Sequence, residues 1–129
     1  MSHAVHQTKA LILKVKNMRE SNKLIYLYTE KFGLLYASMQ SVRELRSKMK
    51  SHIHPFSIVD IDLVLGKNIW RIVGVHEQYS AFNMIETPWY RLTALVSDMV
   101  LRLCVGEEEN QMLWKHLSVY FQNLYVYNE

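Results

Sequence analysis

Two periodicities divide this chain. From about residue 8 to residue 78, apolar side chains recur at every second position, the signature of strands with one face buried. Residues 10–16 set Leu11, Leu13 and Val15 against Lys14 and Lys16. Residues 17–22 break the pattern, and 23–29 resume it as a second strand. The turn at 30–33 ends in Gly33, a residue able to take the positive φ that closes a hairpin, and a third strand follows over 34–42. Residues 57–65 alternate Val59, Ile61, Leu63 and Leu65 with Asp60 and Asp62, which read as the wet face of a strand. Gly66, Lys67 and Asn68 turn the chain into a fifth strand over 69–75. Five strands of this kind fit a small closed barrel better than an open sheet with long edges. Its interior is expected to take Leu11, Leu13, Val15, Val59, Ile61 and Leu63.

Beyond Tyr79 the period becomes helical. Thr87 and Pro88 mark a helix start, and Leu92, Leu95, Val96, Met99 and Leu103 form one apolar stripe. Gly106 is expected to end that helix. Glu107, Glu108 and Glu109 precede a second helix whose stripe is Leu113, Leu117, Phe121 and Leu124, with the acids placed to suit its N-terminal dipole. The two helices should pack as an antiparallel hairpin. The second stripe is too apolar to leave in water, so it is expected to meet a continuation of the chain or another copy by self-association. The reading is therefore a β barrel over 1–80 and a helical segment over 81–129 that begins a larger helical domain.

Composition narrows the class. The 129 residues can bury one good core, half of them are hydrophobic, and Gly and Pro are scarce. No apolar run approaches the roughly 18 residues that span a bilayer, and the N-terminus carries no secretory pattern. Cys104 is the single cysteine, flanked by apolar residues, and reads as a buried thiol in a reducing compartment. A cytoplasmic protein is expected. Charge changes the picture more. Residues 1–50 hold ten Lys or Arg against three acids, an excess of +7, whereas the remainder holds five against nine. Arg43, Arg46, Lys48 and Lys50 cluster in a loop-like run with Glu44 as its one acid, a pattern that concentrates polyanions by long-range attraction. Nucleic acid is the leading partner, although a solvated loop is the plainer reading of any charge cluster.

Particular residues also resemble the N-terminal half of bacterial RecO, a family of recombination mediator and DNA-annealing proteins. The family pattern Arg-x-x-x-Glu-x-(Asp/Ser)-x-Leu is similar to Lys16, Glu20, Asn22 and Leu24 here, followed by Thr29, Glu30 and Gly33. The family's Lys-Gly-Ala-Arg element corresponds to residues 40–43, where Gln40 replaces the lysine and Arg43 is kept. Its Leu-Gln-Pro-Phe element corresponds to Ile53, His54, Pro55 and Phe56. The resemblance implies a five-stranded OB-fold followed by helices, no enzymatic activity, and binding of single- and double-stranded DNA. It further implies strand annealing, recombinase loading in DNA repair and recombination after DNA damage, and RecR and single-strand-binding protein as partners. Family proteins run to nearly twice this length, and many hold a four-cysteine zinc site that has no counterpart here.

OB-folds take oligonucleotides on loops 1–2 and 4–5 and on the face of strands 2 and 3. Arg19 and Lys23 could extend the basic surface around the first of these loops. Tyr26, Tyr28 and Tyr36 could stack on bases; aromatics also favour strands for packing alone, so at least one of Tyr26 and Tyr28 is expected in the core. Tyr36, flanked on its face by Ser38 and Gln40, is the best stacking candidate, and Trp70 beside Arg71 is open to either reading. His52 and His54 share one side of an extended segment but lack further ligands for a metal, and His3 and His6 read as an unstructured terminus. No phosphate loop, nucleophile elbow or acid pair gives catalysis a seat. The DNA-binding candidates are Arg19, Lys23, Tyr36, Arg43, Arg46, Lys48 and Lys50. The rival readings are an RNA-binding OB module and a protein-interaction scaffold whose arm docks acidic peptides.

Overall fold

The computed structural model describes residues 4–18, 22–39, 53–79, 87–104 and 106–127. Five strands form, β1 (Val5–Asn17), β2 (Lys23–Thr29), β3 (Gly33–Met39), β4 (Ile58–Leu65) and β5 (Trp70–Tyr79), followed by helices α1 (Pro88–Leu103) and α2 (Gln111–Tyr127). The strands close into a barrel in the order β1-β2-β3-β5-β4, with β1 paired to β4. Every pairing is antiparallel except β3 with β5, which is parallel and short, joining Ala37 to Trp70 and Ser38 to Arg71. Closure removes the open edges that five isolated strands would present. Strand β1 starts at Val5, earlier than the alternation alone suggests. His6 consequently belongs to the barrel, edge-on to the rings of Phe32 and Trp70 at 5.7 and 5.5 Å.

The interior is filled by Ile12, Ile25, Leu35, Ile61, Leu63 and Ile72, among others. Val59, Ile61 and Leu63 face inward as their alternation predicts. Leu11 and Leu13 do not. They are buried on the outside of the barrel, while Ala10 and Ile12 point inward. Strand β1 also carries an irregularity: Ile12 pairs with Leu27 but Lys14 pairs with Tyr26, so Leu13 is an extra residue. Such a bulge reverses the parity of the residues after it, which is why Val15 packs against the interior core although Leu11 and Leu13 do not.

A second core lies between the outside of the barrel and the helices. Leu11, Leu13, Tyr28, Leu34 and Phe56 meet Val100, Trp114, Leu117, Phe121 and Leu124 there. The indole of Trp114 stacks on Tyr28, ring centroids 6.5 Å apart. The stripe of α2 expected to be left uncovered is thus largely satisfied by the barrel, with Leu117, Phe121 and Leu124 buried and Leu113 half-buried. Helix α1 is rotated about its axis from the expected orientation: of the expected stripe, Val96 packs half-buried against this second core. It buries Thr93, Ser97 and Val100 and exposes Leu92, Leu95, Met99 and Leu103. Small side chains on the inward face allow close approach, and Thr93 is satisfied there by the carbonyl of Trp89 at 2.7 Å, with Tyr120 Oη 3.3 Å away on α2. Burial pushes up the pKa of the Tyr28 hydroxyl, with the Cys104 thiol adding to the rise, and burial also pushes up that of Cys104. Both groups stay protonated at neutral pH.

Helix α1 ends at Leu103, before Gly106, and the short link to α2 is held on the barrel. The Glu107 carboxylate accepts from Trp70 Nε1 at 2.9 Å, so this acid anchors the link instead of sitting in the first turn of α2, which contains no acid. The cap of α2 is Asn110, whose Oδ1 accepts from the Leu113 amide at 3.0 Å. Gly33, with φ +67°, has a second constraint besides its turn: a Cβ there would run into the backbone of Glu108. Gly33→Ala is therefore expected to lower stability by at least about 1–2 kcal/mol from the left-handed conformation alone, and to loosen the link. Urea denaturation checks this; an unchanged midpoint would count against the close approach.

Candidate nucleic-acid interface

The helices cover only part of the outer face of β1–β2–β3, leaving the rest open. The strand registers arrange that open part in two rows. Lys14 lies opposite Tyr26, which lies opposite Tyr36. Next to it, Lys16 lies opposite Leu24, Leu24 opposite Ser38, and Ser38 opposite Arg71. Neighbouring strands are about 4.8 Å apart, so each row is a compact band across the sheet. Neither row contains an acid. Tyr36, 43% exposed, meets Tyr26 edge to face at 4.9 Å, and the Lys14 ammonium stands 5.8 Å from the Tyr26 ring centroid. A cation on a ring and a ring on a ring hold the aromatic pair in place through their quadrupoles.

At the far end of the second row, Ser38 Oγ donates to the Trp70 carbonyl at 3.4 Å. The neighbouring Arg71 is half-buried, and its Nε is buried without a hydrogen-bond partner among the described residues. The β4–β5 turn adds an open cleft of about 550 Å³ lined by Lys67, Asn68 and Arg71 among others. Chemically, the face offers an exposed π surface between cations, suited to a planar ring joined to an anion.

Of the candidates named from sequence, Tyr36 stands in the first row. Lys23 does not share that face. It has the parity of Ile25 and Leu27, whose side chains fill the barrel, and sits half-buried beside Met39 at the barrel mouth. Arg19, Arg43, Arg46, Lys48 and Lys50 lie outside the described residues. The described residues that flank them, Met18, Asn22 and Met39, are at the same end of the strands as the open rows, where the Met18 amide donates to the Asn22 carbonyl at 2.7 Å. Sequence reading missed Lys14, Lys16 and Arg71 as members of the site. Their signal was the alternation in β1 and the proximity of Arg71 to Trp70; their convergence depends on the β1–β2–β3–β5 register. Trp70 itself is core, buried against Phe32 with centroids 5.2 Å apart. Among the described residues no group of His, Cys, Asp or Glu is placed to hold a metal, and no helix is long and apolar enough to cross a membrane.

A closed barrel in this strand order defines an OB-fold protein. Residues 1–76, more than half of the chain, match the family described as Recombination protein O N terminal, and the chain belongs to that family. It is similar to the DNA repair protein RecO of Clostridium novyi (strain NT), 28% identical over 122 residues that make up 92% of this chain and 47% of that protein. The RecO of Clostridium perfringens (strain 13 / Type A) is 27% identical over 114 residues, 87% of this chain and 46% of the relative. That of Thermobifida fusca (strain YX) is 24% identical over 94 residues, 73% and 39% respectively. The chain thus spans less than half the length of these curated relatives.

Proposed function

We propose that this chain is a non-catalytic DNA-binding module of a RecO-type repair protein, taking single-stranded DNA across the open face of β1–β2–β3. The observation that carries the reading is the Tyr26–Tyr36 pair set between Lys14, Lys16 and Arg71 with no acid in either row. Bases stack on Tyr36 and phosphates meet the flanking cations, the combination by which OB-folds hold single strands. Arg71, half-buried opposite Ser38, adds its guanidinium charge at one end of the rows. The arm bearing Arg43, Arg46, Lys48 and Lys50, with Arg19 and Lys23, extends the contact electrostatically, and duplex DNA is held by the same charges. In the wider process the module serves strand annealing and recombinase loading, in company with RecR and single-strand-binding protein, as belongs to a cytoplasmic repair protein.

The test is a fluorescence-anisotropy titration with a labelled single-stranded oligonucleotide. Tyr36→Ala is expected to weaken binding by roughly 1–3 kcal/mol while leaving the salt dependence almost unchanged, because stacking releases no counterions. Equal affinity of wild type and variant would remove the face from the site. Competition by unlabelled RNA of matched sequence, or by an acidic peptide, as effective as DNA would replace the reading with an RNA-binding or a peptide-docking module.

A further inference from the structure

Helix α1 packs Val96, Val100 and Leu101 against the second core but leaves four large apolar residues exposed. Leu92, Leu95, Met99 and Leu103 are 43, 63, 57 and 74% exposed, while Thr93 and Ser97 are buried. The spacing i, i+3, i+7 of Leu92, Leu95 and Met99 is the narrow a/d seam of a helix pair, not the wide stripe of a helix lying on a globular core. A seam of that width fits one further helix. The charges beside it indicate which. Exposed Arg91 and exposed Asp98 are seven residues apart, hence on the same edge of the seam. In two antiparallel helices such edges meet head to tail, so Arg91 of one copy lies beside Asp98 of the other, twice in each pair. In that register Leu92 of each copy also faces Leu95 of the other. Shifting the antiparallel register to set Leu95 opposite Met99 brings the two Asp98 side chains together, and parallel pairing leaves Arg91 without an acid. Asp98 is held by Arg102 at 3.0 Å, but that pair is solvent-exposed, 78 and 55% for its two members, and such pairs contribute little.

We propose that α1 is a homotypic docking helix, two copies of this chain pairing antiparallel through Leu92, Leu95 and Met99 with reciprocal Arg91–Asp98 contacts. The seam is complementary to itself in charge, which makes a second copy its occupant. From Leu92 to Leu103 it runs only about 17 Å at 1.5 Å per residue. The interface is accordingly small, and the dimer forms with rising concentration.

Sedimentation velocity on the full chain, from low to high micromolar concentration at low salt, tests this. The expected result is a shift from monomer to dimer across the series. Leu95→Glu, on an exposed position, should leave the circular dichroism spectrum intact and hold the protein monomeric. Arg91→Glu and Asp98→Arg should each weaken the dimer, and Arg91→Glu with Asp98→Arg together should restore it, since the charges are exchanged but remain complementary. A wild-type chain that stays monomeric throughout overturns the proposal and leaves the seam to a helix of another protein. A dimer that survives Leu95→Glu overturns it too, and a double variant no stronger than the singles overturns the antiparallel register.

Discussion

Phe121→Ala should lower the free energy of unfolding by about 3–5 kcal/mol, the usual cost of truncating a fully buried phenylalanine. Phe121 is 0% exposed and belongs to the core formed by both helices with the outside of the barrel. Truncation removes the transfer free energy of the ring and leaves a cavity that the rigid barrel wall cannot close. Domains of this size are stable by about 5–15 kcal/mol in total, so the loss is a large share. The same truncation at Leu95, which is 63% exposed, should change stability by no more than about 0.5 kcal/mol. Urea denaturation of the two variants gives the comparison. A loss below about 1 kcal/mol at Phe121 would mean that the helices do not share a working core with the barrel.

The strands and turns were legible because their determinants are local. Alternation in β2 and β4, and a glycine at the β2–β3 turn, depend on neighbours a few residues away. The face of β1 was not legible, because residues 10–13 are apolar on both sides: one side lines the barrel and the other lies under the helices. Only pairing with β2, including the extra residue at Leu13, decides between them. The orientation of α1 was hidden for a related reason. Hydrophobicity alone favours burying Leu92, Leu95 and Met99, but the approach of α1 to β1 and α2 is settled by Thr93 and Ser97, whose small volumes matter only once the neighbours are in place.

The candidate site shows the same division. Tyr36 could be singled out from the polar residues on its own face, yet Tyr26 and Tyr28 have identical parity and different fates. Tyr28 is covered by Trp114 of α2 and is 2% exposed, whereas Tyr26 stays half-buried beside Lys14 and Tyr36. Trp70 and Glu107 are 37 residues apart and form a hydrogen bond that no local pattern announces. Arg71 joins the site only through the short parallel pairing of β5 with β3.

Replacing Arg43, Arg46, Lys48 and Lys50 together by alanine should weaken single-strand binding at all sequences alike and flatten its dependence on salt. Each phosphate neutralised releases counterions, and on single strands each lost contact lowers the slope of log affinity against log salt by roughly 0.7. Four contacts remove about 2.8, so a fourfold rise in salt would cost the variant about fifty-fold less affinity than it costs the wild type. Partial contacts remove proportionally less. Lys14, Lys16 and Arg71, on the strands themselves, should supply a residual slope that the arm variant keeps, and Tyr36→Ala should act on affinity without touching either component. The two variants therefore separate charge in the arm from stacking on the sheet. An arm variant that is folded by circular dichroism and binds with unchanged affinity and slope would confine the interface to the two rows of the barrel, leaving the arm a solvated loop.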